Sequence, residues 1–343
     1  ALGAKLSDDV LLGDLDGDGD LDAFAVNRLG AGSSVWLNDG TGKYADSGQS
    51  LGTGNSFDGA IGDIDGDDDL DVLVSNFSGN FDTPAADQIW LNDGDGNFIA
   101  GPELTQWNNG TAVELADIDN DGDLDAITGA GRDDLWINQG GSQNGVEGTF
   151  VYTAGAFGTE ALITTDISTA DVDNDGDIDV VFSYGNGAPI GDNAVYLNQG
   201  GTQGGTLGTF ALGSTFGPSG LATAVELGDL NGDGYVDAFV GRSRAGAYNS
   251  LTYPSLVFLN DGAGAFVDTG QTLIANPDAP TNNNFKTRDV KLGDVDNDGD
   301  LDAFLGNNSA MVVYLNDGLG TFSDSGQRLG AVFSTDNYSV ALG

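Results

Sequence analysis

The sequence predicts an all-β fold, a β-propeller of four-stranded antiparallel blades, from three observations. A nine-residue aspartate loop recurs six times, the same order of short apolar strands follows each copy, and no long stretch carries a helical apolar period. Glycine is abundant at 56 residues and proline scarce at 7, as short strands joined by tight turns require.

The loop comes first in each unit. Its first copy, Asp14 to Asp22, reads Asp-Leu-Asp-Gly-Asp-Gly-Asp-Leu-Asp, and further copies start at Asp63, Asp117, Asp171, Asp229 and Asp294. So many carboxylates in one turn repel each other, and the turn needs a counter-charge to close. Oxygen-only donors without His or Cys point to a hard cation, calcium before magnesium. The opening matches an EF-hand loop, but the last acid stands at the ninth place instead of the twelfth.

The candidate ligands are Asp14, Asp16, Asp18, Asp20 and Asp22 in the first loop, and Asp63, Asp65, Asp67, Asp69 and Asp71 in the second. The third and fourth loops offer Asp117, Asp119, Asp121, Asp123, Asp125, Asp171, Asp173, Asp175, Asp177 and Asp179. The fifth offers Asp229, Asn231, Asp233, Tyr235 and Asp237, and the sixth Asp294, Asp296, Asp298, Asp300 and Asp302. Tyr235 at the seventh position implies that this place gives a backbone carbonyl, which leaves side-chain ligation to positions one, three, five and nine. Positions two and eight are always Leu, Ile or Val, so these residues face a core. Position six is Gly in five copies and Asp68 in the second, as a turn with positive φ requires. The fifth loop has the fewest charges and is expected to bind most weakly.

A short apolar strand leads into the loop, as at Val10 to Gly13, Ala60 to Gly62, Val113 to Ala116, Val225 to Gly228 and Val290 to Gly293. A second strand follows it, as at Ala23 to Val26. The third carries an aromatic-Leu/Ile-Asn motif: Trp36-Leu37-Asn38, Trp90-Leu91-Asn92, Trp136-Ile137-Asn138, Tyr196-Leu197-Asn198, Phe258-Leu259-Asn260 and Tyr314-Leu315-Asn316. A Gly-rich hairpin then leads to a fourth strand opening on Tyr44, Phe98, Phe150, Phe210, Phe266 or Phe322. Four antiparallel strands per unit, repeated, make a propeller.

With the loop and this order of strands, the sequence resembles the FG-GAP/VCBS repeat family, the calcium-loop propellers of integrin α-subunits, some mushroom lectins and many bacterial surface proteins. The resemblance spans all six units, and it implies about six bound calcium ions. Propellers of the integrin and mushroom-lectin type usually have seven blades, whereas six complete units stand here. Six blades are therefore expected, with seven as the alternative. The chain reads as a single propeller domain over 1–343, with repeats at about 7–55, 56–109, 110–164, 165–221, 222–286 and 287–335. Residues 336–343 repeat the first lead-in strand and are a spare or ring-closing strand, open to self-association by strand donation.

The formal charge is -44, from 54 acids and 10 bases. That disfavours nucleic acid and anionic membranes as partners. No run is apolar enough to span a bilayer, and Ala1 opens no leader, as in a mature or excised form. There is no cysteine, and metal ions can staple loops in place of disulfides. Loops of this kind suit millimolar calcium, so an extracellular or cell-surface location is expected.

Extra length gathers in the second-to-third and fourth-to-first connections, on the face opposite the aspartate loops. Trp107, Tyr184, Arg242, Arg244, Tyr248 and Tyr253 are the candidate ligand residues there, for a glycan or protein partner. With no His, no Cys, no Gly-x-Ser-x-Gly and every dense carboxylate pair inside a metal loop, no enzymatic activity is expected. The expected function is a calcium-stabilised extracellular recognition or adhesion module. The alternative is a structural subunit of a surface layer, sheath or filament built by terminal strand exchange.

Overall fold

The computed structural model describes residues 5–79, 85–105, 109–140, 145–158, 163–185, 193–218, 222–243, 253–274, 287–307, 311–329 and 339–342. They form a β-propeller of six four-stranded antiparallel sheets, each running in sequence order from its inner to its outer strand. One 3-10 turn, Gly201–Gln203, is the only helical element among the described residues.

Blade one comprises β1 (Ser7–Gly13), β2 (Asp22–Asn27), β3 (Ser34–Asn38) and β4 (Tyr44–Asp46). Blade two comprises β5 (Ser56–Gly62), β6 (Asp71–Asn76), β7 (Asp87–Asn92) and β8 (Phe98–Leu104). Blade three comprises β9 (Ala112–Ala116), β10 (Asp125–Gly129), β11 (Asp134–Asn138) and β12 (Phe150–Thr153). Blade four holds β13 (Thr164–Ala170), β14 (Asp179–Tyr184), β15 (Asn193–Asn198) and β16 (Phe210–Phe216). Blade five holds β17 (Ala222–Gly228), β18 (Asp237–Arg242), β19 (Leu256–Asn260) and β20 (Phe266–Asp268). Blade six holds β21 (Thr287–Gly293), β22 (Asp302–Asn307), β23 (Met311–Asn316) and β24 (Phe322–Leu329).

The lead-in strand of blade four is the one the sequence hides. β13 reads Thr-Thr-Asp-Ile-Ser-Thr-Ala, and Ile167 is its one large buried apolar side chain. The polar residues take bonds instead, the Thr165 hydroxyl with Ser183 and the Ser168 hydroxyl with the Val225 carbonyl.

The chain divides into two compact units, Ala1–Thr164 and Thr165–Leu342. Within each, the cores lie between blades. One cluster joins Leu15, Phe24 and Val35 of blade one to Val72, Val74 and Phe98 of blade two, with Trp90 packed against it. Trp136 of blade three is buried with Ala60 and Leu73 of blade two. In the second unit Phe216 and Val181 of blade four meet Val240 and Phe258 of blade five. Phe239 and Val257 of blade five meet Leu305 and Tyr314 of blade six. Trp90, Trp136, Phe258 and Tyr314 of the third strands are thus inter-blade core, as expected of large side chains between stacked sheets.

Inner strands are tied by carboxylates. The Val113 amide donates to Asp58 at 2.9 Å, the Val225 amide to Asp166 at 2.8 Å and the Val340 amide to Asp289 at 2.7 Å. Asp58 and Asp166 each lie one blade earlier than their donors, and Asp289 lies in blade six, which Val340 follows in the chain. The residue before each donor is Ala112, Ala224 or Ser339, whereas Val10, Ile167 and Val290 follow an aspartate and bond to it. An inner strand without its own carboxylate borrows its neighbour's. Burial raises the Asp166 carboxyl well above the usual range, with Lys291 opposing the shift.

Candidate metal centres

The six aspartate loops connect each first strand to the second. In five blades the ninth-position aspartate pairs with the last residue of the first strand, as Asp22 with Gly13 and Asp302 with Gly293. That aspartate is a fastener. Asp22 Oδ2 accepts the Leu15 amide at 2.9 Å and Oδ1 the Asn38 amide at 2.7 Å. The same pair of bonds recurs at Asp71, Asp125, Asp179, Asp237 and Asp302. Position nine therefore clamps the loop's second residue to the third strand of its own blade.

The first position organises the turn. Asp117 accepts the amides of Asp121 and Gly122, and Asp294 those of Asp298 and Gly299. Position five accepts the amide of position seven, as Asp175 does from Asp177 at 3.0 Å. Position four is left-handed in every loop, at Gly17, Gly66, Asn120, Asn174, Gly232 and Asn297, a Gly-or-Asn choice the repeat hides beside the aspartates. Asp68 at position six carries φ of 71°, where the other loops have Gly.

What remains unsatisfied is the cation side. Buried Oδ1 atoms of Asp14, Asp16, Asp65 and Asp173, and Oδ2 atoms of Asp123 and Asp177 at position seven, have no hydrogen-bond partner. Carboxylate oxygens come within 4.8 Å of one another in five sets: Asp14, Asp16 and Asp18; Asp63, Asp65 and Asp71; Asp117, Asp119 and Asp125; Asp171, Asp173 and Asp179; and Asp294, Asp296 and Asp302. Buried acceptors without donors fit a bound cation. These sets could hold a divalent ion through positions one, three, five and nine.

Without a cation, burial pushes position nine up: Asp125 to about 8, Asp179 to about 7, Asp71 and Asp237 to about 6. Backbone donors oppose the shift and neighbouring loop acids add to it. The fifth loop forms no acid-only set, because Asn231 stands at position three and hydrogen bonds to Asp233 on both its amide groups.

The seventh position does something else. Its side chain turns to the glycine of the third-to-fourth hairpin. A Cβ on Gly94 would lie 2.6 Å from the Asp69 carboxylate, and one on Gly262 would lie 2.7 Å from the Tyr235 ring. Asp20, Asp123, Asp177 and Asp300 stand in the same place against Gly40, Gly140, Gly200 and Gly318. A phenol and a carboxylate occupy one slot. The hairpin glycine is needed because of that slot.

The Asn of the third strand, a packing mark in the sequence, is a staple. Its Nδ2 donates to the position-two carbonyl of the preceding blade's loop: Asn92 to Leu15, Asn138 to Ile64, Asn260 to Val172 and Asn316 to Leu230, at 2.7 to 2.9 Å. Neighbouring loops are thereby linked. The signal available in the sequence was the invariance of that Asn across the six units.

The opposite face is described only in part. Trp107, Arg244 and Tyr248 lie outside the described residues. Tyr184 is 1% exposed and stacks on Phe182, and Arg242 is 7% exposed at the end of β18. Neither offers its side chain to a partner, because both strand ends run into the core instead of out along the loops. Tyr253 is half-buried.

The FG-GAP-like repeat model matches residues 14–74, 171–240 and 294–343, more than half of the chain. The chain belongs to the FG-GAP-like repeat family. No curated protein sequence matches this FG-GAP chain. Among solved structures it is similar to an Agrocybe aegerita lectin described as recognising non-reducing terminal N-acetylglucosamine. That match has 20% identity and a TM-score of 0.57, over 92% of this chain and 78% of the lectin. A Lactobacillus plantarum protein matches at 13% identity and TM-score 0.54, over 93% of this chain and 81% of that one.

Pseudomonas aeruginosa periplasmic gluconolactonase matches at 14% identity and TM-score 0.59, over 95% of this chain and 84% of the enzyme. That last likeness corrects the expectation of no enzymatic activity. An enzyme shares the fold, so missing motifs of other folds do not argue against catalysis here. No helix among the described residues is long and apolar enough to cross a membrane.

Proposed function

We propose that this FG-GAP propeller is a calcium-stabilised recognition module acting outside the cell, with a glycan or protein partner on the face opposite the aspartate loops. The carrying observation is the partnerless carboxylate oxygen of Asp16, Asp65 and Asp173 at position three, each within a cluster of loop carboxylates. Calcium would supply the positive charge that lets these acids stay ionised together. Positions one, five and nine shape the turn, position three gives its free oxygen, and position seven gives only its backbone carbonyl. Six ions are proposed, one per loop, the fifth held least tightly. Millimolar calcium outside cells matches oxygen-only loops of this type.

An ion that binds only the folded chain adds roughly 1.4 kcal/mol per site at ten times its Kd. Six independent sites add roughly 8 kcal/mol, comparable with a domain's whole stability. The lectin among the similar structures makes a glycan the first partner to test. Tyr253, with Trp107, Arg244 and Tyr248, are the residues proposed to meet it.

Two measurements decide the reading. Calorimetric melting in calcium and in chelator should show a large fall in Tm on chelation, and an unchanged melt removes the stabilising role. Glycan-array binding in calcium should be lost in Tyr253→Ala, and a wild-type chain that binds no glycan and no surface protein removes the recognition role.

A further inference from the structure

The third-to-fourth hairpins of blades three and four run from Gln139 to Thr149 and from Gln199 to Thr209. Those of the other blades are shorter, as Asp39 to Lys43 and Asp317 to Thr321. The long hairpins also lack an acid. In the short ones the residue after the strand-three Asn is Asp39, Asp93, Asp261 or Asp317, and its carboxylate accepts an amide of the turn. In the long ones it is Gln139 or Gln199, whose side-chain amide donates back to the Ile137 or Leu197 carbonyl.

Beside the long hairpins, position seven is left bare. Asp177 is 5% exposed, and its Oδ2 is buried without a hydrogen-bond partner. Asp123 Oδ2 is in the same state in blade three. Asp20, Asp69 and Asp300, beside short hairpins, have no such atom.

The Asp177 carboxylate is aimed at its hairpin. A Cβ on Gly200 would lie 2.5 Å from Asp177 Oδ2 and would also meet the Leu207 side chain, which covers the same spot. A Cβ on Gly201 would lie 2.7 Å from Asp177 Oδ2, 3.0 Å from Asp175 Oδ2 and 3.1 Å from the Asp175 carbonyl oxygen. Three oxygens thus converge on one point. Gly201, at φ of 43°, opens the 3-10 turn, and Gln203 Nε2 fastens that turn to Asp173 Oδ2 at 2.6 Å.

Residues 171–210 contain no Lys or Arg, so neither the loop nor the hairpin supplies a counter-charge. A buried carboxylate oxygen with neither donor nor counter-charge is costly. In blade three Glu147 stands where Leu207 stands in blade four, and a Cβ on Gly140 would meet both Asp123 Oδ2 and the Glu147 side chain. There the need for positive charge is greater still.

We propose that blade four holds a second divalent cation between its aspartate loop and its long hairpin, ligated by Asp177 Oδ2, Asp175 Oδ2 and the Asp175 carbonyl. Donors that are all oxygen suit a hard ion of the calcium class. The site is distinct from that of the loop's own ion, whose carboxylate set is Asp171, Asp173 and Asp179. Asp175 bridges the two, with Oδ1 accepting the Asp177 amide inside the loop and Oδ2 facing the hairpin. The ion does for the long hairpin what an aspartate does for the short ones, and holds the turn against the loop.

The test compares the full chain with Asp177→Asn, and with Asp300→Asn as the position-seven control from a short hairpin. In equilibrium dialysis Asp177→Asn should bind one calcium ion fewer than the wild type, and Asp300→Asn the same number. In wild type, calcium should slow amide hydrogen exchange over residues 200–209. Asp177→Asn should lose that slowing but keep calcium protection of residues 171–176, where the loop's own ion binds. An Asp177→Asn chain that binds as many ions as the wild type overturns the proposal. So does a wild-type hairpin that calcium does not slow, a result that needs no variant to fold. Loss of protection over 171–176 in Asp177→Asn overturns it as well, because position seven then serves the loop ion. In each case calcium protection of 171–176 in the wild type reports separately whether the loop ion binds.

Discussion

Asp68 sits at φ of 71° in a place where the other loops have Gly. The left-handed region costs a non-glycine residue roughly 1–2 kcal/mol, so Asp68→Gly should stabilise the chain by about 1 kcal/mol. Denaturant melts read the change, and a loss of stability would mean that the Asp68 side chain holds the loop. The hairpin glycines work in the opposite sense. Gly94→Ala puts a methyl group 2.6 Å from Asp69 at φ of 75° and should cost roughly 1–3 kcal/mol.

Positions three and seven separate ligation from packing at the same scale. Asp173→Ala removes a partnerless oxygen and should lower the number of calcium ions bound by one in equilibrium dialysis, whereas Asp300→Asn, at a position read as giving only its backbone carbonyl, should leave it unchanged.

A loop does not act alone: all six are fastened by position nine, and those holding Leu15, Ile64, Val172 and Leu230 are fastened a second time. Position nine ties it to the third strand of its own blade, and the next blade's Asn ties it to its neighbour. Asn316→Ala leaves the Leu230 carbonyl buried without its donor, for roughly 1–3 kcal/mol lost in denaturant unfolding. No loss would show that water replaces the amide.

The position-nine carboxylates also set a pH dependence. Burial raises the folded pKa of Asp71, Asp125, Asp179 and Asp237 to about 6–8 in the metal-free chain, well above the ordinary carboxylate range. A raised carboxyl pKa favours folding fully below the unfolded value, and that favour is lost as pH rises through the folded one. In chelator, Tm should therefore fall between pH 5 and pH 8, with the midpoint of the fall near the folded values. In calcium the fall should vanish, because the cation replaces the proton. Matched melts across this range check both halves.

Across the molecule, the six-fold repeat was legible because each blade is too small to bury itself and must present the same apolar pattern to its neighbours. Loop spacing, the third-strand motif and the hairpin aromatics gave 23 of the 24 strands a sequence mark; β13 was hidden because threonine and serine hydroxyls replaced apolar contacts there. The ligand-face residues read least well. Tyr184 and Arg242 look like loop residues in sequence, but a strand end can run into the core as easily as out of it, and composition does not tell the two apart.

By itself the sequence determined the blade, its four strands, and which loop positions carry acid, since these follow from local spacing and alternation. Only the tertiary structure decided where each acid's oxygens go. Position nine spends both on backbone amides, position seven turns to a hairpin glycine, and Asp16, Asp65 and Asp173 at position three each keep a bare oxygen. Residues identical in sequence differ here because hydrogen-bond partners come from other strands and other blades, and no local pattern records how far away those partners lie along the chain.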